Sequence, residues 1–249
     1  MKWIVCFFTF FCIVVSSTYA QTEHVNELHF TGLKKTKTAF INRFLETKKG
    51  QPLDSVQLQS DIIRLKRLPS IANVSYKVIA LPNNQYNIIF NFEENFTLIP
   101  AFNYWTTINT TAYKFGGYEY NLFGENITFG GFYQNNGQNT FGLNVSAPYL
   151  FSNKFGFGLN YLNWKSEEPL YIGDQSANYV YQNTSYELLG SYELNSKTTF
   201  QLGVSLFNEK YNATEEITGL DIPNQMDANK QLVKFIYTHQ NLDYFYFYI

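Results

Sequence analysis

From residue 97 onward the sequence alternates, segment after segment, between a large apolar residue and a small or amide-bearing one. In 139–149, Phe141, Leu143, Val145, Ala147 and Tyr149 share one parity, and Gly142, Asn144 and Ser146 the other. In 154–164, Phe155, Phe157, Leu159 and Tyr161 alternate with Gly156, Gly158 and Asn160. In 198–206, Phe200, Leu202, Val204 and Leu206 alternate with Gln201, Gly203 and Ser205. Weaker versions occur at 97–105, 126–135 and 230–239. A period of two puts successive side chains on opposite faces of a strand. The units run to about 9–11 residues, the length a tilted strand needs to cross a bilayer. Aromatics near their ends (Tyr104, Trp105, Tyr149, Trp164) fit interfacial girdles. Around 176–194 the parity changes near Asn183, which predicts a bulge or a break there.

A soluble β-sandwich or lipocalin-like barrel also alternates, but its outer face carries charge. Here the face opposite the large apolar residues is mostly Gly, Asn, Ser and Thr. Charged residues are only 15% of the chain, against roughly 25% in ordinary soluble domains. The balance therefore favours strands with one face in an apolar solvent. Aromatics at 19% exclude disorder. A net charge of −2 excludes a generally basic nucleic-acid binder.

The one long apolar run lies at the N-terminus, from Trp3 to Val15, after Lys2. It is short for a membrane helix and is followed by small residues, which is the pattern of an export signal over 1–20. Cleavage is expected between Ala20 and Gln21. Both cysteines, Cys6 and Cys12, fall inside this segment. The exported chain is then expected to have no disulfide and no thiol metal site.

Residues 21–95 have a different character. They hold 10 Lys+Arg, 7 Asp+Glu and 7 aromatics, whereas 96–249 holds 7, 13 and 34. That shift marks a domain boundary near 95. The first part reads β-α-α-β-β. Val25 to Phe30 alternates and stops at Gly32, a turn residue. Thr36 to Thr47 carries Ala39, Phe40, Phe44 and Leu45 at helical spacing and stops before Gly50. Asp54 is placed to cap a second helix, with Val56, Leu58, Ile62, Ile63, Leu65 and Leu68 as its apolar residues and Pro69 as its end. Asn73–Leu81 and Gln85–Glu93 alternate as strands around the turn cluster Pro82, Asn83, Asn84.

These residues resemble a known family, the BamA/TamA-like outer-membrane assembly and translocation proteins, in which POTRA domains precede a bacterial surface antigen β-barrel. The POTRA-like marks are Phe30-Thr31-Gly32, the run Phe40 to Leu45, Gly50 to Asp54, and Leu65 to Val74. The barrel-like marks are Gly117, the turn Asn121-Leu122-Phe123-Gly124, and Pro148-Tyr149-Leu150-Phe151. The resemblance covers essentially all of the chain after residue 20. It implies an α+β POTRA domain (β-α-α-β-β) over 21–95, facing the periplasm. An antiparallel transmembrane barrel follows over 96–249. About seven or eight strands are countable before Ile249, roughly half of what the family barrels hold, and no Arg-Gly dipeptide occurs. The chain thus reads as the front half of such a protein, ending inside a strand.

Catalytic chemistry is not expected. His24, His29 and His239 lack metal-ligand spacing, and no HExxH, GxSxG, P-loop or dinucleotide fingerprint occurs. Glu167 and Glu168, before Pro169, read as a solvated loop between strands rather than a glycosidase pair. Lys34, Lys35 and Lys37 read as a solvated basic face, with contact to anionic lipid as the functional alternative. Seven Asn-x-Ser/Thr sequons read as chance in an Asn-rich exported protein. No enzyme, cofactor, catalytic residue or metal is expected. The resemblance implies insertion of membrane proteins or protein translocation in the bacterial outer membrane. POTRA sheet edges would capture unfolded barrel or secreted clients by strand addition, and the strand 97–105 would form one side of a seam. Partners would be membrane lipid, such clients and other assembly subunits. The alternatives are a passive barrel or remnant, and a secreted soluble β-protein.

Overall fold

The computed structural model describes residues 23–106, 110–195, 197–217 and 222–241. The expected signal with its cleavage point at Ala20 and Gln21, the sequon residue Asn109 and the run 242–249 lie outside them.

The first domain is β1 (His24–Thr31), α1 (Thr38–Phe44), α2 (Ser55–Leu65), β2 (Ile71–Leu81) and β3 (Gln85–Glu94). This is the expected β-α-α-β-β order. The strand order is β1-β3-β2, with β1 parallel and β2 antiparallel to β3. Among the described residues β2 therefore has one paired and one free edge, whereas the outer edge of β1 is taken at its start by residues 50–53: Val25 donates to the Gln51 carbonyl at 2.9 Å and accepts from the Gly50 amide at 2.7 Å. Asn83 and Asn84, at φ 61° and 53°, turn β2 into β3, a left-handed geometry that asparagine tolerates.

Each helix is placed by local chemistry. The Asp54 carboxylate accepts from the Val56 and Gln57 amides at 2.8 and 3.2 Å, capping α2. Leu58, Ile62 and Leu65 then face the sheet. Val56 and Ile63 do not: they are 79% and 48% exposed. At about 100° per residue, Val56 lies nearly opposite Leu58 on the helix, so hydrophobicity alone over-assigned the buried face. The helix stops at Leu65, four residues before Pro69, and α1 is shorter than the expected Thr36–Thr47. The α1–α2 connection is fixed by buried Asp61, which accepts from the Glu46 and Thr47 amides at 2.9 Å each. Phe40, Ile41, Phe44, Leu58, Leu65, Ile88 and Phe90 form the centre of the core.

The second domain is one antiparallel meander: β4 (Leu98–Thr106), β5 (Thr111–Leu122), β6 (Ile127–Asn135), β7 (Asn139–Ala147), β8 (Phe155–Ile172), β9 (Gln175–Asn195), β10 (Thr198–Ala213) and β11 (Gln225–His239). Strands neighbour in chain order from β4 to β11. The register aligns apolar side chains into rows that cross the sheet. One row is Val233, Val204, Leu188, Leu159, Val145 and Phe129. Another is Phe102, Phe115, Tyr133 and Phe141. Most of these residues are exposed, including Phe102, Phe115, Phe129, Phe141, Leu159, Leu188, Val204 and Val233. The opposite face carries a polar row. Asn144 donates to Asn160, Asn160 donates to Glu187 at 2.9 Å, and Ser205 donates to Glu187 at 2.8 Å. Lys234 pairs with the same carboxylate. The sheet thus has an apolar outer face and a polar inner face, the arrangement of a membrane barrel wall.

Two expectations about this sheet are corrected. First, β9 runs through Asn183 without a bulge; Asn183 pairs in register with Trp164 and Glu209. The parity change is a change of face. Tyr186 and Leu188 point outward, whereas Tyr179 is buried on the inner side, with its hydroxyl donating to the Pro223 carbonyl at 2.7 Å. Second, Glu167 and Glu168 lie within β8, opposite Val180 and Tyr179. Both follow from length. β9 has 21 residues, about 70 Å at roughly 3.3 Å per residue, over twice the core of a bilayer. Beyond an apolar band, nothing requires the outer face to stay apolar.

Candidate functional site

The two domains meet at a polar and aromatic junction built from the sheet's turns. The β5–β6 turn holds the sequence-expected residues Asn121, Leu122, Phe123 and Gly124. Phe123, Gly124 and Asn126 all have positive φ, at 57°, 73° and 53°. This coil lets Asn121 turn inward, where it is 1% exposed. Its amide nitrogen donates to the Thr36 hydroxyl at 3.0 Å, and its side-chain oxygen accepts from the Asn126 amide at 2.9 Å. The Asn126 side chain in turn accepts from the Ser70 amide at 3.2 Å. The Gly124 carbonyl accepts from the Lys37 amide at 2.9 Å. A Cβ on Gly124 would lie 2.2 Å from the Lys35 carbonyl oxygen, so no side chain fits there. Phe123, by contrast, is 70% exposed and points away from the junction.

Pro148 and Tyr149 belong to the next turn on the same side, β7–β8. Tyr149 was expected as a girdle aromatic; it instead extends the first domain's core. Its ring stands edge-on to Phe44 at 4.8 Å and tilts toward Phe40 at 6.5 Å. The reason is connectivity: Tyr149 lies past the end of β7, so strand parity no longer sets its direction. Burial pushes its hydroxyl up to about 12, and the nearby Glu193 charge adds to this against Arg64 and Arg67. Arg43 donates to the Tyr149 carbonyl at 3.4 Å, and Asn153 donates to the Phe44 carbonyl at 3.3 Å.

Charges complete the junction. Lys35 meets Glu119 at 2.7 Å, Lys37 meets Glu125 at 2.9 Å, and Arg43 reaches Glu125 at 3.6 Å. The Lys37 hydrogen bond holds the Glu125 carboxyl below the usual carboxylate range despite partial burial. Arg64 lies over the Phe44 ring and bridges Glu46 at 2.7 Å and Glu193 at 3.8 Å. The β1–α1 connection that presents these lysines is shaped by Glu94. Its carboxylate accepts from the amides of Lys34, Lys35 and Thr36 at 2.9, 2.9 and 2.7 Å. Burial raises its pKa, but the Thr36 hydroxyl and these amides outweigh that and lower it overall. Gly32 allows the approach: its φ is 84°, and a Cβ would lie 2.0 Å from the Phe92 oxygen.

The basic cluster is therefore neither a freely solvated face nor a plain lipid contact, since Lys35 and Lys37 are paired to the sheet. The sequence hinted at this only through the opposite charges of the two parts. Gly117 is not at the junction; it faces Pro100 and Gly131 on the sheet. Among the described residues no group of three or more His, Cys, Asp or Glu is placed to hold a metal.

Residues 23–95 match the family model for POTRA, described as "Surface antigen variable number repeat". The first domain is a POTRA domain. BamA from Haemophilus ducreyi, in a crystal structure lacking POTRA domains 1–3, superposes at a TM-score of 0.63 with 18% identity, over 90% of this chain and 45% of that one. CdiB from Acinetobacter baumannii gives 0.51 and 12%, over 87% and 46%. CdiB from Escherichia coli gives 0.56 and 11%, over 89% and 43%. No curated protein matches by sequence. The chain thus has the BamA/TamA-like architecture, a POTRA domain followed by part of a barrel-type sheet, and spans less than half the length of each of these structures.

Proposed function

We propose that this chain is a component for inserting or translocating proteins at the bacterial outer membrane, with the POTRA domain on the periplasmic side. The observation that carries the reading is how the POTRA domain is used. It docks onto the sheet through α1, the end of α2 and its connecting loops, and none of the junction contacts comes from the β1 or β2 edges. The β2 edge stays available to an extended client, which would add as a strand by backbone hydrogen bonding. The outward apolar rows support the membrane as the solvent of the sheet, because burying such a face in water-free hydrocarbon is favourable at about 25 cal/mol per Å². The edge of β4, unpaired among the described residues, is the side at which a client strand would enter. The clients are unfolded barrel proteins or secreted chains. No step requires a cofactor or a catalytic side chain.

The test is transplantation and crosslinking. Residues 21–95 placed in a working homologue should restore barrel assembly. Photocrosslinkers on the β2 edge, replacing Ser75 or Lys77, should label unfolded client. Loss of rescue together with absence of labelling would leave a passive barrel as the better reading.

A further inference from the structure

The POTRA domain and the inner face of the sheet border a cavity of about 490 Å³, within the roughly 300–1,000 Å³ of small-molecule sites. Its sheet wall includes Thr199 and Gln201. These share the parity of Ser205, and so belong to the face of the polar row at Glu187. The cavity therefore lies on the side away from the outward apolar rows. Phe44, Leu68 and Ile71, all members of the POTRA core, give its other wall an apolar part.

The charges around it do not balance. Arg64, Lys66 and Arg67, at the end of α2 and just past it, line the cavity, as does Lys197 in the β9–β10 turn. Glu193 is the carboxylate that lines it. Arg64 is shared between Glu46 and Glu193. Arg67 acts electrostatically on the same Glu193 and on the Tyr149 hydroxyl, so its charge faces the cavity. Yet the Arg67 Nε is buried with no hydrogen-bond partner among the described residues. The Lys197 ammonium donates to the Asn241 side-chain oxygen at 2.6 Å, a neutral partner that leaves its charge uncompensated. Even with Glu46 counted, four cations face two carboxylates. Like charges gathered at a half-enclosed wall repel one another, and a bound anion relieves that repulsion.

We propose that this cavity binds the phosphate monoester of a small organic molecule. Such a phosphate carries about −1.5 to −2 charge at neutral pH, which matches the excess, whereas a single carboxylate would leave half of it. Its oxygens accept well from a guanidinium, and Arg67 has a donor to give. Inorganic phosphate would answer the charge but neither the apolar wall nor the volume. A phospholipid fits less well, because its acyl chains belong with the outward rows, on the other face of the sheet. The site is separate from the β2 edge, so it stands apart from the client-capture reading.

The test titrates the full chain, folded in detergent micelles, with phenyl phosphate by isothermal calorimetry. One molecule per chain is expected, bound about tenfold more tightly than benzoate or inorganic phosphate. Arg67→Gln should weaken binding about tenfold, the effect of losing one charge-assisted hydrogen bond. Arg67→Lys keeps the charge without the Nε donor and should give an intermediate value. Lys197→Gln sits in a turn, where the fold tolerates it, and should weaken binding several-fold. Lys77→Gln, on β2 and outside the cavity, should leave it unchanged. Equal affinity in the unaltered chain, Arg67→Gln and Lys197→Gln overturns the site, as does a lack of binding at millimolar phenyl phosphate. Equal affinity for benzoate overturns phosphate as the class. Phosphatidic acid in mixed micelles should not displace phenyl phosphate; displacement overturns a soluble ligand in favour of a lipid head group.

Discussion

Gly124→Ala offers the sharpest measure of how firmly the POTRA domain is held. Two costs act at this position. An alanine at φ 73° pays for the left-handed conformation, about 1–2 kcal/mol. Its Cβ also meets the Lys35 oxygen at 2.2 Å, so the turn must lift off the POTRA backbone. Lifting breaks the Lys37 amide bond to Gly124, worth about 1 kcal/mol. It also loosens the Asn121–Thr36 bond, about another 1 kcal/mol for a buried pair. Gly50 isolates the first cost, since its φ is 83° and nothing lies within 4 Å of its would-be Cβ. The contact-specific excess is thus about 2 kcal/mol, or roughly 30-fold in an opening equilibrium at 1.4 kcal/mol per decade. Amide hydrogen exchange of the membrane-inserted chain reads it directly. The Lys37 amide should exchange about 30-fold faster in Gly124→Ala than in Gly50→Ala. Equal rates in the two variants would refute the claim that this turn clamps the domains.

Other outcomes follow from the same geometry. Tyr149→Ala removes the ring against Phe44 and should weaken docking by about 2–3 kcal/mol, below the 3–5 of a fully buried aromatic; protease cleavage between the domains should accelerate to match. Glu94 has a lowered folded pKa, so its contribution is present above the unfolded value, near 4.3, and is lost as pH falls through the lower folded value. Glu94→Gln should flatten the fall in thermal stability below about pH 4.5, and an unchanged acid profile would remove Glu94 as its cause. Asp54→Ala should cost the POTRA domain about 1 kcal/mol in urea unfolding through loss of the α2 cap, whereas Val56→Ala, on the exposed face, should change it by less than about 0.5.

The β-α-α-β-β order was readable because its signals are local: Asp54 caps two residues on, and Asn83-Asn84 turns the chain where it stands. The alternation also exposed the two faces of the sheet, since a strand's parity is carried by adjacent residues. The junction was not readable in the same way. Asn121 was visible as part of a turn motif, but its partner Thr36 lies 85 residues away, and nothing near Asn121 in sequence announces it. Tyr149 misled for a related reason: it keeps the parity of β7 but lies beyond the strand's end. Glu167, Glu168 and Asn183 misled because loop-like polarity inside a strand is permitted once the strand extends past an apolar band.

What the junction spends and what it spares bears most directly on function. A POTRA domain has one helical face and two sheet edges to offer. If the domain only anchored a passive barrel, any of these surfaces would serve. Here the anchoring falls on α1, Arg64 and the loops at Lys35–Lys37 and Ser70, while β2 keeps its outer edge. The clamp is also rigid in kind, because Gly124 sits backbone against backbone with Lys35 and Lys37 and the Asn121 side chain is fully buried on Thr36, where a sliding contact would need exposed side chains that adjust. A rigidly held domain with a free β2 edge presents that edge at a fixed orientation to the sheet. In the function proposed above, that preorganisation would lower the entropy cost of pairing with an extended client, and a domain docked through its β2 edge would lack it.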